Sequence, residues 1–209
     1  LNMAFATALV PSISSSKAIG NMETVKKRIS FSLLVSILIG MPCMIAMIIF
    51  AKPILELLFP NATSGAFIYQ ISCLSIIFIV IEQIISGALH GLGKVLAPAM
   101  ALSIGVVIKF ILNLYLIPID TKDFFLGGTA GAAISTVICH MIAVIIELKI
   151  LNKNIDLKLD KKKFVFKPML ASIIMSVFAY TFYLVMITRI NDKIVTVLSL
   201  LMCAIIYIV

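Results

Sequence analysis

The stretch ISCLSIIFIVIEQIISGALHGLGK, Ile71 to Lys94, decides how the chain is read. Its last eight residues, GALHGLGK, place glycines before a lysine, a combination that can cradle a phosphate. A phosphate loop requires G-x-x-x-x-G-K followed by Ser or Thr, entered from a strand. Five positions before Gly93 stands Ala88, and Val95 follows Lys94, so both the first glycine and the magnesium-binding hydroxyl are missing. The preceding run is a long apolar helix, not a short strand. GALHGLGK is therefore a tight turn between membrane helices. Gly91 and Gly93 are expected to supply backbone angles that other residues resist, and Lys94 marks the cytoplasmic side.

Composition supports that reading. Of 209 residues, 62% are hydrophobic and 12% charged, against about half and a quarter in soluble domains. Mean hydropathy is +1.21. The chain reads as an all-α, polytopic protein of the cell membrane. It opens and closes within apolar runs, which suggests a piece of a longer protein. Cys43, Cys73, Cys139 and Cys203 each lie within an apolar segment, and no two form C-x-x-C. They read as buried packing residues rather than metal ligands.

A span needs about 20 mostly apolar residues. Six full spans and the end of a seventh are predicted: a tail from Leu1 to about Pro11, then Ile29–Phe50, Ala66–Leu89, Leu96–Pro118, Gly128–Leu151, Phe166–Thr188 and Lys193–Val209. Residues 1–151 form one lobe, 152–167 a basic loop, and 168–209 a final hairpin. Lys and Arg concentrate in alternate loops. Lys17, Lys26, Lys27, Arg28, Lys94 and the lysines of Lys149–Lys167 fall on one side, and Lys52, Lys122, Arg189 and Lys193 on the other. The first side is cytoplasmic. The net charge of +8 thus reports topology and attraction to anionic lipid, with no call for nucleic acid. The segment AKPILELLFP, Ala51–Pro60, reads as a short amphipathic turn in the outer interface.

Charged groups at membrane depth are costly, about 2.5–3.5 kcal/mol at a helix centre on insertion scales, and they usually face a bundle interior or wet cavity. Glu82, Lys109 and His140 are the candidates. Ser75, Glu82, Ser86 and His90 share one helix stripe, with Gln83 beside it. Asn113 lies one turn beyond Lys109. Direct pairing of Glu82 with Lys109 is not expected, because their backbones differ in depth by roughly 10 Å; His140 lies closer to Glu82. Glu82 can alternatively snorkel to the interface, and His140 can be an ordinary packing residue. Lys109 is furthest from both ends and suits an anionic headgroup in a hydrated cavity. Gly40 and Pro42, in LIGMPCM, mark either a hinge or a packing bend. The pairs Gly87/Gly91 and Gly127/Gly131 allow close helix approach. No hydrolytic triad, paired carboxylates or metal cluster is present in the sequence pattern, so an enzyme is not expected, and no cofactor is called for; a coupling ion is left open.

Several stretches, taken in order, are similar to one known group. They are ATALVPSISSSKAIGNMETVKKRI (Ala6–Ile29), SILIGMPCMIAMIIFAKPILELLF (Ser36–Phe59), GALHGLGKVLAPAM (Gly87–Met100), VIKFILNLYLIP (Val107–Pro118) and GGTAGAAISTVICHM (Gly127–Met141). The ordered set resembles the polysaccharide biosynthesis and export branch of the multidrug/oligosaccharidyl-lipid/polysaccharide exporter superfamily, near the stage V sporulation protein B and lipid II flippase groups. The resemblance implies the C-terminal lobe of a two-lobe exporter fold around a central cavity, with the N-terminal lobe of the same chain as its partner. It implies a flippase or exporter, working by alternating access on a lipid-linked anionic saccharide or peptidoglycan precursor for cell-wall or spore-cortex synthesis. Alternatives are a cation-coupled multidrug antiporter of the same superfamily, or a non-transporting membrane scaffold for wall synthesis.

Overall fold

The computed structural model describes residues 2–119, 125, 127–157, 162–187 and 192–208, and every regular element among them is helical. Lys122, Lys158, Lys161 and Arg189, used above to assign topology, lie outside the described residues. The helices are α1 (Asn2–Ala18), α2 (Met22–Ile49), α3 (Ala51–Leu58), α4 (Ala66–Cys73), α5 (Ser75–Gly91), α6 (Leu96–Leu116), α7 (Gly128–Ile155), α8 (Lys167–Met186) and α9 (Asp192–Ile208). A 3₁₀ segment, Pro60–Gly65, joins α3 to α4, and one π turn, Lys162–Phe166, leads into α8.

Five described stretches are long and apolar enough to cross a bilayer: Met22–Ile49, Thr63–Gly91, Leu96–Leu116, Gly128–Ile155 and Phe164–Met186. The sixth expected span appears as α9, whose 17 residues stand at the lower limit for a crossing. The chain is an all-α, multi-pass membrane protein.

Local chemistry explains where helices stop. At the end of α1, the Asn21 N–H donates to the Ser16 carbonyl at 3.0 Å, and Gly20 N–H to Lys17 at 2.9 Å. Gly20 has φ +76°. This is a Schellman cap, in which glycine takes the left-handed position. The Asn21 side chain then accepts from Thr24 N–H at 3.0 Å and starts α2. The same device ends α5: Lys94 N–H donates to Leu89 at 2.8 Å, Gly93 N–H to His90 at 2.9 Å, and Gly93 has φ +80°.

Three expectations need correction. The first helix does not stop near Pro11; proline removes one backbone donor, but the helix continues to Ala18, carried by the burial of Leu9, Ile13 and Ser16. The span from Ala66 is not one continuous helix. It breaks at Leu74, where the Leu74 N–H turns tightly onto the Ile71 carbonyl at 3.1 Å and the Ser75 hydroxyl takes the Ser72 carbonyl at 2.6 Å. Gly91 is helical rather than left-handed, and its role is contact. A Cβ there would lie 2.8 Å from Ile13 Cβ and 2.9 Å from the Val10 carbonyl oxygen, and one at Gly87 would lie 2.6 Å from the Ala6 carbonyl oxygen. The Gly87/Gly91 pair therefore seats α1 directly on α5, as small residues do between membrane helices.

Among the described residues the core has three parts, the smallest joining α4 to α7 through Ile71, Ala130, Ala133 and Val137. The largest unites α1, α2, α5 and α7 through Ile13, Ile29, Leu33, Ile85, Leu89 and Leu151. The second joins the far end of α2 and α3 to α8 and α9 through Phe50, Ile54, Met175, Ala179, Tyr183 and Val195. Helix α6 packs on α7: a Cβ at Gly105 would lie 2.7 Å from the Cys139 carbonyl oxygen. The opposite face of α6, including Phe110, Leu114 and Tyr115, is exposed. Helix α7 thus stands between α5 and α6, and two sets of polar groups lie along those seams.

Candidate functional site

On α5, Glu82 and Ser86 lie one turn apart on the face toward α7. The Glu82 carboxylate Oε2 lies 2.6 Å from Nδ1 of His140, and both side chains are mostly withdrawn from solvent. A single short hydrogen bond joins them, its donor set by the His140 tautomer. One to two turns toward the α5–α6 turn, the Ser86 hydroxyl donates to Oε1 of Glu147 at 2.8 Å. Glu147 is fully buried, and its Oε2 has no hydrogen-bond partner.

The α6–α7 seam carries a second, smaller set. The Ser135 hydroxyl lies 2.5 Å from Asn113 Oδ1. Lys109 stands on the same stripe of α6, between Gly105 and Asn113. It is half-buried, with no hydrogen-bond or ion-pair partner among the described residues. Gln83 belongs to a third set: Asn2 Nδ2 donates to Gln83 Oε1 at 2.8 Å and to the Val80 carbonyl at 3.1 Å, while the Ser36 hydroxyl donates to Asn2 Oδ1 at 2.6 Å. This network ties α1, α2 and α5. Gly40 sits close by, where a Cβ would lie 3.2 Å from Val80. Pro42 is buried on a wall of an apolar groove between α2 and α8–α9 of about 370 Å³, and α2 runs unbroken past it.

The candidates named from sequence therefore fall in three neighbouring places. Glu82 and His140 meet, Lys109 and Asn113 share a stripe on the opposite seam, and Gln83 faces α1. Sequence reading did not single out Glu147, which falls near the end of the expected span Gly128–Leu151. The spacing held the clue: His140 and Glu147 are seven apart and so lie on one helix face. Among the described residues no group of three or more His, Cys, Asp and Glu side chains could hold a metal ion.

Two basic residues do structural work at the end of the molecule that carries the α1–α2 and α5–α6 turns. Lys17 Nζ donates to the Leu92 carbonyl at 2.6 Å, covering the free carbonyls at the end of α5. Arg28 on α2 donates to the Ser12 carbonyl at 2.5 Å and to the hydroxyls of Ser12 and Ser16 at 2.7 and 2.8 Å. Lys17 thereby brings two loops assigned to the cytoplasmic side together at one end of the molecule.

Comparison with known proteins places this geometry. A family model described as MatE matches residues 1–115. The uncharacterized membrane protein YabM of Bacillus subtilis is 29% identical over 170 residues, covering 81% of this chain and 30% of that protein. An uncharacterized membrane protein of Methanocaldococcus jannaschii is 30% identical over 188 residues, covering 87% of this chain and 34% of that one. Among solved structures, the lipid II flippase MurJ in an inward closed conformation superposes with a TM-score of 0.73 at 19% identity, covering 100% of this chain and 43% of MurJ. That likeness concerns the fold. The chain spans about a third of the length of the curated relatives it matches. On the match over more than half its length, the chain belongs to the MatE family of the multidrug/oligosaccharidyl-lipid/polysaccharide exporter superfamily.

Proposed function

We propose that this chain is part of a flippase that moves a lipid-linked, anionic saccharide or peptidoglycan precursor across the cell membrane by alternating access. Family membership and a fold shared with a lipid II flippase support the export reading. The observation that carries the substrate class is Lys109: an ammonium at membrane depth, half-buried and without a protein partner among the described residues. A charge there persists where water or a counter-charge reaches it, and a diphosphate headgroup supplies that counter-charge. The role in wall or spore-cortex synthesis rests on the sequence resemblance. The test is transport of labelled lipid II by the intact purified protein in vesicles. Headgroup translocation well above that of protein-free vesicles is expected; translocation equal to theirs would refute the reading.

A second reading, a cation-coupled multidrug antiporter, is favoured by one observation: two carboxylates, Glu82 and Glu147, lie within the spans. Efflux of a cationic dye driven by an imposed proton gradient, without lipid II movement, would select it.

A further inference from the structure

We propose that Glu147, reached through the Ser86 hydroxyl, is a proton-binding site within the membrane lobe, loaded in the conformation seen here. Three observations converge on it. First, Glu147 is fully buried, and of its two oxygens only Oε1 has a partner. A carboxylate has room for several donors and is penalised heavily when buried without them, whereas the neutral acid asks for far less. Second, the one partner is placed at an opening. Ser86 lines a groove of about 200 Å³ between α1 and α5, together with Thr7, Glu82, Gln83 and His90. That groove has room for several waters at about 30 Å³ each and offers them polar partners. Third, the groove runs along a polar ladder. Glu82, Ser86 and His90 succeed one another every four residues on α5, about 6 Å apart, and His90 is exposed next to the cytoplasmic turn.

The transfer balances without a further reactant. For release the Ser86 hydroxyl, which here donates to Oε1, turns to a groove water; the acid proton, carried on the oxygen facing Ser86, then passes to the Ser86 oxygen as the hydroxyl proton passes to that water. The products are a carboxylate and hydronium, with serine unchanged. Loading is the reverse. The charged and titratable groups around the site are few. Helix α5 contributes Glu82, already engaged with His140, and His90 at the cytoplasmic end. Helix α6 contributes Lys109, further toward the outer end, and α4 carries no Asp, Glu, His, Lys or Arg. On α7 itself, Lys149 and Lys153 are exposed. None of these donates to Glu147, so loss of the proton leaves an unpaired charge between α5 and α7. That charge draws water in and parts the two helices. The site would thus couple proton release to motion of α5 and α1 against α7. The coupling role rests on the export reading, whereas the proton site does not.

Infrared spectroscopy of the intact protein in bilayers tests the site without any transport assay. A protonated carboxylic acid shows a carbonyl band above the amide region that shifts on deuteration. The expected result at neutral pH is one such band that disappears in Glu147→Gln and survives in Glu82→Gln. In Ser86→Ala it should move to higher frequency, as its hydrogen bond is lost. Absence of the band from the unaltered protein at neutral pH, or its persistence unchanged in Glu147→Gln, would overturn the proposal. If Glu147→Gln fails to fold, the Ser86→Ala shift decides the matter, and an unmoved band counts against it. Loss of lipid II transport with the band intact would strike the export reading alone.

Discussion

The α5–α7 seam and the α8–α9 hairpin both bury polar groups, and they handle them in opposite ways. The hairpin buries Ser172, Ser176, Thr196 and Ser199. Two of these hydroxyls use their own helix, Ser172 donating to the Pro168 carbonyl at 2.7 Å and Thr196 to the Asp192 carbonyl at 2.8 Å, while those of Ser176 and Ser199 have no hydrogen-bond partner among the described residues. Hydroxyls can do this at little cost because they carry a donor. A carboxyl oxygen that accepts finds no free N–H within a helix. Glu82 and Glu147 must therefore be served by side chains from another helix, His140 and Ser86. Polar groups that depend on a neighbouring helix respond when that neighbour moves; groups satisfied at home do not. On this contrast the α5–α7 seam is the responsive part of the molecule, and the hairpin, beside its apolar groove, is a packing element.

The largest effect should come from forcing the close contacts apart. Gly105→Val places a Cβ 2.7 Å from the Cys139 carbonyl, an overpacking against backbone that costs about 3 kcal/mol or more. Size-exclusion profiles of the intact protein in detergent should show loss of the monodisperse peak, and a normal profile would mean that α6 does not sit on α7. Next comes Glu82→Ala, which strands His140. An unmet buried partner costs about 1–3 kcal/mol, measurable as a lowered melting temperature. A double-mutant cycle with His140→Ala should then recover part of the loss, and strict additivity would deny the pair. Lys17→Met removes the cap on α5 and should cost about 1 kcal/mol; an unchanged melting temperature would show that Lys17 only marks topology. Smallest of all is Ser172→Ala in the hairpin, at about 0.6 kcal/mol or less. A larger loss there than at Glu82 would reverse the comparison.

Much of this architecture was legible in the residues because apolar runs and turn glycines report local chemistry. Ile71–Lys94 announced a membrane helix with a tight end, and Gly20 and Gly93 occupy the left-handed caps that such ends require. Gly87 and Gly91 foretold a close helix contact, though not that the partner is α1. The break at Leu74 stayed hidden because hydropathy is blind to which carbonyl a serine takes. Glu147 does not stand out in the sequence because it lies near the polar end of the Gly128–Leu151 run, and the helix continues about one turn beyond that run to Ile155, since backbone hydrogen bonding outlasts hydrophobicity. Lys17 and Arg28 were read as topology markers only; their bonds to Leu92 and Ser12 follow from the tertiary placement of α1 against α5 and α2, which periodicity does not encode.

The central claim is that an unpaired ammonium at membrane depth serves an anionic cargo. Its most direct test is the initial rate of labelled lipid II translocation by the intact protein carrying Lys109→Met, beside Lys109→Arg. We expect the Met variant to fall at least tenfold while the Arg variant keeps most of the rate, with both folding normally. Equal rates for the Met variant and the unaltered protein would contradict the claim.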